Sequence, residues 1–307
     1  MIRPTKGVHL ILLNERLGNT QAFGLQSPRD KRFYFILKRE KYTVIGTTDT
    51  DYKDNLDEPI CTKEDCDYLL EGVNFLFPDA HLTEKDLIST YAGIRPLVVD
   101  PNSKTASDVS RKHVISDSPN GLVSLIGGKL TIYRLMAEDL LYHLMKSKGL
   151  FPQVPKKQRK KGYSKQPFLV GLTRADFDKQ YEAGVRAGKY LQLDEDRLEH
   201  LHRQYGTQAF EILALMKQTP AKAERLIPEN QFTTAEIEWI CDHENAPTLL
   251  DMVIRRTEIW MYVHHTKAKE IAEKVGKIMQ AKYGWDDNQI KREIQSFVTY
   301  TNAWVWF

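Results

Sequence analysis

The residues of this chain best suited to hold an electron-rich ligand are Gly127, Gly128, Lys129, Leu130 and Thr131. Residues 121–126 before them read as a short buried strand. Residues 131–146 after them carry Leu135, Met136, Leu140, Leu144 and Met145 at helical spacing. A strand that turns through two glycines into a helix opens backbone N–H groups to a ligand, and the helix adds roughly half a positive charge at that end. The plainer alternative is a tight turn with no ligand. No G-x-G-x-x-G occurs in these 307 residues, so a nucleotide bound here is expected to find most of its site elsewhere.

Further along the same line of chemistry stands Arg95, in Tyr91-Ala-Gly-Ile-Arg-Pro-Leu97. The proline after it keeps its backbone extended, and a planar guanidinium matches a phosphate or carboxylate. Arg111, at the head of the next expected strand, is a second candidate, and two arginines from adjacent strands would clamp a dianion. A surface ion pair is the competing reading of each. His9 begins an apolar strand, where it is either a core histidine or a general base titrating near neutral pH. Thr47 lies in Gly46-Thr47-Thr48-Asp49, whose hydroxyls suit either a substrate or a capped turn. His200 and His202 are two apart on an expected helix and point to different sides, which argues against a shared metal. His264 and His265 are expected to end a helix and favour its negative pole.

These groups need elements to hold them. The first 150 residues alternate short strand-like runs with turns, at 7–13, 21–25, 32–38, 43–47, 90–99, 112–116 and 122–126. One helix is expected over 62–77, capped by Thr62 and stopped by Pro78. Residues 151–170 read as a basic linker, because 156–161 carry five positive charges and no acid between Pro155 and Gly162. Helices are expected at 174–191, 194–205, 209–218, 234–241, 248–262, 266–283 and 286–300. The fold class is therefore α+β. A mixed or antiparallel substrate-binding sheet with a helix after the Gly-Gly turn occupies 1–150, and an all-α C-terminal cap domain occupies 171–307.

Composition narrows the function classes. With 41% hydrophobic and 28% charged residues, the chain reads as soluble and globular. No run approaches the roughly 18–20 apolar residues of a membrane span, and no leader is apparent. Cys61, Cys66 and Cys241 have no metal-ligand spacing and read as reduced thiols, which makes the cytoplasm the expected compartment. A net charge of +3 is too mild to imply nucleic acid, and no aromatic residue is interleaved in the basic run.

Taken in order, Lys6-Gly-Val-His9, Ile45-Gly-Thr-Thr-Asp49, Gly93-Ile-Arg-Pro-Leu97, Ser110-Arg111 and Gly127-Gly-Lys-Leu-Thr-Ile-Tyr-Arg134-x-Met136-Ala-Glu138 resemble the FAD-dependent glycerol-3-phosphate dehydrogenases and oxidases. The helical segment Glu244-x-Ala-x-Thr248-Leu-Leu-Asp251-x-Val-Ile-Arg255-Arg256-Thr257 resembles the same family's cap signature. The family places a dinucleotide-binding half before such a region, so this chain corresponds to the later portion. On its own it is expected to be inactive and to hold an incomplete FAD site. The resemblance implies that Gly127, Gly128, Lys129, Leu130 and Thr131 contact FAD, that Thr47, Arg95 and Arg111 bind glycerol 3-phosphate, and that His9, Arg95 and Lys129 are catalytic. It also implies quinone or oxygen as electron acceptor. Ile132 departs from the family's usual threonine.

The partners expected on this reading are the substrate, the electron acceptor, an anionic membrane surface met by the basic linker from the cytoplasmic face, and a second copy in a homodimer. The reading of another class is a non-catalytic module that binds a phosphate ligand without a flavin domain.

Overall fold

The computed structural model describes residues 2–98, 112–159, 163–165 and 174–303. The strands are β1 (Ile2–Leu13), β2 (Phe23–Gln26), β3 (Phe33–Arg39), β4 (Tyr42–Gly46), β5 (Thr50–Asp51), β6 (Leu87–Val98), β7 (His113–Asp117) and β8 (Val123–Gly127). The helices are α1 (Lys63–Leu76), α2 (Tyr133–Ser147), α3 (Arg174–Tyr190), α4 (Glu195–Tyr205), α5 (Ala209–Gln218), α6 (Thr234–His243), α7 (Ala268–Tyr283) and α8 (Asp287–Ala303). Strands with some helices, then helices alone, make the α+β class expected from the residues.

Two compact units share the chain. One comprises Met1–Val8, Thr48–Pro59 and Ala92–Gly171; the other comprises His9–Thr47, Ile60–Tyr91 and Leu172–Phe307. The second unit contains an antiparallel run in the order β2-β3-β4-β1. Because side chains alternate across a strand, register assigns its faces. Leu10, Leu12, Tyr34, Ile36 and Ile45 share one face and are buried. The phenol end of Tyr34 lies against Gly72 of α1, where a Cβ would come within 2.9 Å of the hydroxyl. Helix α1 starts at Thr62, the cap the sequence predicts, and Asp65 completes a capping box in which the two satisfy each other's backbone N–H.

The opposite face carries His9, Ile11 and Leu13 beside Gly46, Val44 and Tyr42. Ile11, Tyr42, Val44 and Ile88 cluster there with Tyr91, Met261 and Tyr262 from later in the same unit. The Tyr42 hydroxyl donates to the Tyr262 carbonyl at 2.6 Å, and Ser89 donates to that of Met261 at 2.7 Å. Helices α4 to α8 enclose a second core that includes Leu201, Ile212, Trp239, Trp260, Ile271, Met279 and Phe297.

One expected helix does not form. Over 248–262 the backbone widens into a π turn at Asp251–Arg256 and reverses at Glu258, which has φ 52°. The buried Thr257 explains the change: its N–H and its hydroxyl both bond the Met252 carbonyl, at 3.0 and 2.8 Å, five residues back. The other polar residues of the segment serve the same turn. Thr248 donates to Asp251, Asp251 accepts from Arg255, and Arg256 donates to the Asn245 carbonyl. With the helix interrupted, His264 and His265 do not end one. His264 instead caps the 3-10 turn His265–Lys267 that leads into α7.

The first unit pairs the start of β1 with β5, through Thr5 with Asp51 and Lys6 with Thr50, and adds the β7–β8 hairpin and α2. Here apolar surface is left open. Met145 is the one buried residue of α2, while Val114, Leu122, Leu130, Tyr133 and Leu141 are all exposed. Among the described residues no helix is long and apolar enough to cross a membrane.

Candidate active site

In the first unit the site is built around Arg95 on β6. Its guanidinium occupies the space that a side chain at Gly7 would fill, since a Cβ there would lie 2.6 Å from Cζ and Nη1. Nη1 donates to the Thr48 carbonyl at 3.2 Å and to the Asp49 carboxylate at 3.3 Å. Thr48 is itself fixed, because its hydroxyl accepts from the Val8 N–H at 3.0 Å. Arg95 is about a quarter exposed and Asp49 a tenth. A planar guanidinium anchored by a carbonyl and a carboxylate and still in part open to water has the geometry that matches a phosphate or carboxylate. Asp49 is the carboxylate that sequence reasoning missed.

The Gly127-Gly128 turn has φ of 76° and 85°, which only glycine adopts freely. The space beside each is filled by the chain itself. A Cβ at Gly127 would meet Val98 at 2.9 Å, and one at Gly128 would meet Met136 at 2.6 Å. These glycines therefore seat β8 and α2 rather than leave a bare cradle. The open backbone comes one step later. Leu130–Ile132 form a 3-10 turn that runs into α2, and no side chain caps the start of either. Lys129, Leu130 and Thr131 are exposed there. An uncapped helix start flanked by an ammonium group fits the electron-rich edge of a planar cofactor, so the donor set is compatible with FAD. Glu138 of the same motif pairs with Arg134 at 3.3 Å within α2.

In the second unit His9 is half-buried on β1, paired across the sheet with Gly46, and Thr47 is half-buried after it. Tyr91 stacks on the His9 ring. Burial raises the Tyr91 pKa, so its phenol stays neutral. Arg111 lies outside the described residues.

The His200 and His202 pair goes to structural partners. His200 binds Glu236 at 2.7 Å, and the buried His202 contacts the Leu198 carbonyl at 2.9 Å. Among the described residues no cluster of metal-ligating side chains occurs. The three cysteines form no disulfide, and burial pushes the Cys66 thiol up to about 12.

Comparison with known proteins defines the class. Residues 1–134 match the FAD dependent oxidoreductase family, and residues 164–290 match the C-terminal domain of alpha-glycerophosphate oxidase. The aerobic glycerol-3-phosphate dehydrogenase of Staphylococcus saprophyticus is 34% identical over 83% of this chain and 45% of its own length. The mitochondrial glycerol-3-phosphate dehydrogenase of Bos taurus is 32% identical over 96% of this chain and 39% of its own. A glycerol-3-phosphate dehydrogenase from Bacillus halodurans, solved in complex with FAD, superimposes with a TM-score of 0.79 at 27% identity, over 98% of this chain and 57% of that one. The chain belongs to the family of FAD-dependent glycerol-3-phosphate dehydrogenases and oxidases. It spans about half the length of the relatives it matches.

Proposed function

We propose that this chain carries the substrate-binding portion of a flavoenzyme that oxidises sn-glycerol 3-phosphate to dihydroxyacetone phosphate. The observation that carries the reading is the seat of Arg95, a guanidinium held over a glycine by Asp49 and the Thr48 carbonyl. Such a group suits a phosphate dianion, and the relatives named above are glycerol-3-phosphate dehydrogenases.

In this reading Arg95 and Arg111 bind the phosphate and Thr47 hydrogen-bonds the glycerol part. His9 takes the proton of the C2 hydroxyl on a ring nitrogen, a role worth about 10²- to 10⁴-fold for a well-placed base. FAD, when bound, supplies the acceptor for the hydride that leaves C2. Lys129 and the N–H groups of Leu130 and Thr131 hold the electron-rich edge of that cofactor, with Gly127 and Gly128 shaping the turn. The exposed apolar residues of α2 and the β7–β8 hairpin suit coverage by a dinucleotide-binding half. Electrons then pass to a quinone or to oxygen. The basic run at 156–161 supports peripheral contact with an anionic bilayer on the cytoplasmic side. A homodimer is the assembly we propose to test for first.

The test joins the chain to a dinucleotide-binding half, loads the product with FAD and mixes it anaerobically with glycerol 3-phosphate. Bleaching of the flavin absorbance with formation of one dihydroxyacetone phosphate per flavin is expected. Binding of glycerol 3-phosphate without bleaching would overturn the reading in favour of a phosphate-binding module.

A further inference from the structure

His9 and Gly46 face each other across β1 and β4. The imidazole lies over the glycine rather than standing clear of the sheet. A Cβ built on Gly46 would come within 2.8 Å of Cγ and 2.9 Å of Nε2, and nearer still to Cδ2. Tyr91 adds a second constraint from β6. Its ring is parallel to the imidazole, with 4.5 Å between centroids and 10° between planes. That separation is at the short end of the range for aromatic pairs. Burial keeps the phenol neutral, so the stacked face carries no charge that would repel or pair with the imidazole.

These contacts act on one degree of freedom. The lone pair of an imidazole nitrogen lies in the ring plane, so a base of this kind works only when the plane points its nitrogen at the proton it takes. Rotation about the Cβ–Cγ bond misdirects it without moving the backbone. A catalytic group must be held within about 10–20° of its productive orientation by neighbours that are themselves fixed. The missing side chain at Gly46 lets the ring settle onto the sheet in this plane, and the ring surface of Tyr91 holds it there.

We propose that Gly46 and Tyr91 are positioning residues that fix the imidazole plane of His9. The inference rests on the reading of His9 as the base, and it assigns the glycine of Ile45-Gly-Thr-Thr-Asp49 a task in ring placement. Stacking needs the ring of Tyr91 and not its hydroxyl, so phenylalanine suffices there.

The experiment uses protein with ¹⁵N-labelled histidine, in which the His9 resonances are identified by their loss in His9→Asn, and kcat is read on the same variants joined to a dinucleotide-binding half and loaded with FAD. Long-range ¹H–¹⁵N spectra need no flavin. Tyr91→Phe is expected to leave the His9 ring shifts in place and kcat within about 2-fold. Tyr91→Leu is expected to abolish the upfield ring-current shift and lower kcat about 10-fold with KM nearly unchanged, a modest part of what a general base contributes. Gly46→Ala is expected to move the same resonances and lower kcat at least as far. The remaining eight of the nine histidines serve as the folding control. His9 resonances unmoved in Tyr91→Leu and Gly46→Ala would overturn the proposal, as would moved resonances with kcat intact in an enzyme that His9→Asn cripples. If His9→Asn leaves kcat undiminished, the base reading itself fails, and resonances that still move separate that failure from failure of the ring placement.

Discussion

Placing one methyl group at position 7 tests the seat of Arg95 directly. Gly7 lies in the middle of β1, and Gly7→Ala would put its Cβ 2.6 Å from both Cζ and Nη1 of Arg95. Ordinary contact between such atoms begins near 3.4–3.5 Å, so the guanidinium must retreat by about 1 Å. Its bonds to the Thr48 carbonyl and the Asp49 carboxylate are already 3.2 and 3.3 Å long, and a shift of that size breaks at least one of them. A hydrogen bond to a charged group is worth about 1.5–3 kcal/mol. Replacing glycine within a strand returns roughly 0.5–1 kcal/mol through the unfolded state. The expected net loss is therefore about 1–2 kcal/mol in urea unfolding. Displacing one anchored guanidinium from the phosphate is expected to weaken glycerol 3-phosphate binding by about 10- to 150-fold.

The double variant Gly7→Ala/Arg95→Ala sharpens the test, because the alanine methyl then meets no guanidinium. Its stability should exceed the sum of the two single effects by about 1 kcal/mol or more, a coupling typical of residues in contact. Additive stabilities, or Gly7→Ala with unchanged unfolding and unchanged substrate binding, would refute the claim that Gly7 exists to admit Arg95.

Other consequences can be checked alongside. Arg111→Ala in the FAD-loaded enzyme is expected to raise KM for glycerol 3-phosphate about 10-fold or more; an unchanged KM removes Arg111 from the phosphate site. Burial opposes charge on His200, but Glu236 outweighs it and raises the His200 pKa above the usual histidine value. A group whose folded pKa is raised contributes its full stability below the unfolded value of about 6.5 and loses it as pH rises through the folded one. Urea midpoints should therefore fall upward from about pH 6.5, and the slope should vanish in His200→Gln; an equal slope in both proteins would assign it elsewhere. Thr62→Ala removes half of the α1 capping box and should cost about 1 kcal/mol, read as a lower urea midpoint at constant m-value.

What sequence can and cannot say about this site follows from the range of the interactions involved. Strand β3 was legible because residues 33–37 form a short aromatic and aliphatic run bounded by charged residues, and α5 because its apolar residues recur at helical spacing; both signals are local. The start of α1 was legible because Thr62 is a local capping residue, and Asp65 three residues on completes the box. The break after Leu250 was not, since an apolar spacing that suits a helix is overruled by one hydroxyl, that of Thr257, reaching back five residues. That single local choice also moved His264 and His265 from the end of one helix to the approach to another.

The site divides along the same line. Arg95, His9 and Lys129 were recognisable by type and motif, whereas Asp49 and Tyr91 gain their significance only from contacts that strand pairing creates. The glycines show the limit most clearly. Gly127 and Gly128 adopt positive φ, as a Gly-Gly turn suggests, yet Gly7 and Gly46 lie on strands and turn nothing. Each leaves empty a volume that another side chain then enters: the Arg95 guanidinium at Gly7 and the His9 imidazole at Gly46. A residue whose contribution is absent volume cannot be understood until the atoms that fill that volume are known, and those come from a cross-strand partner 37 positions away in one case and from a strand 88 positions on in the other.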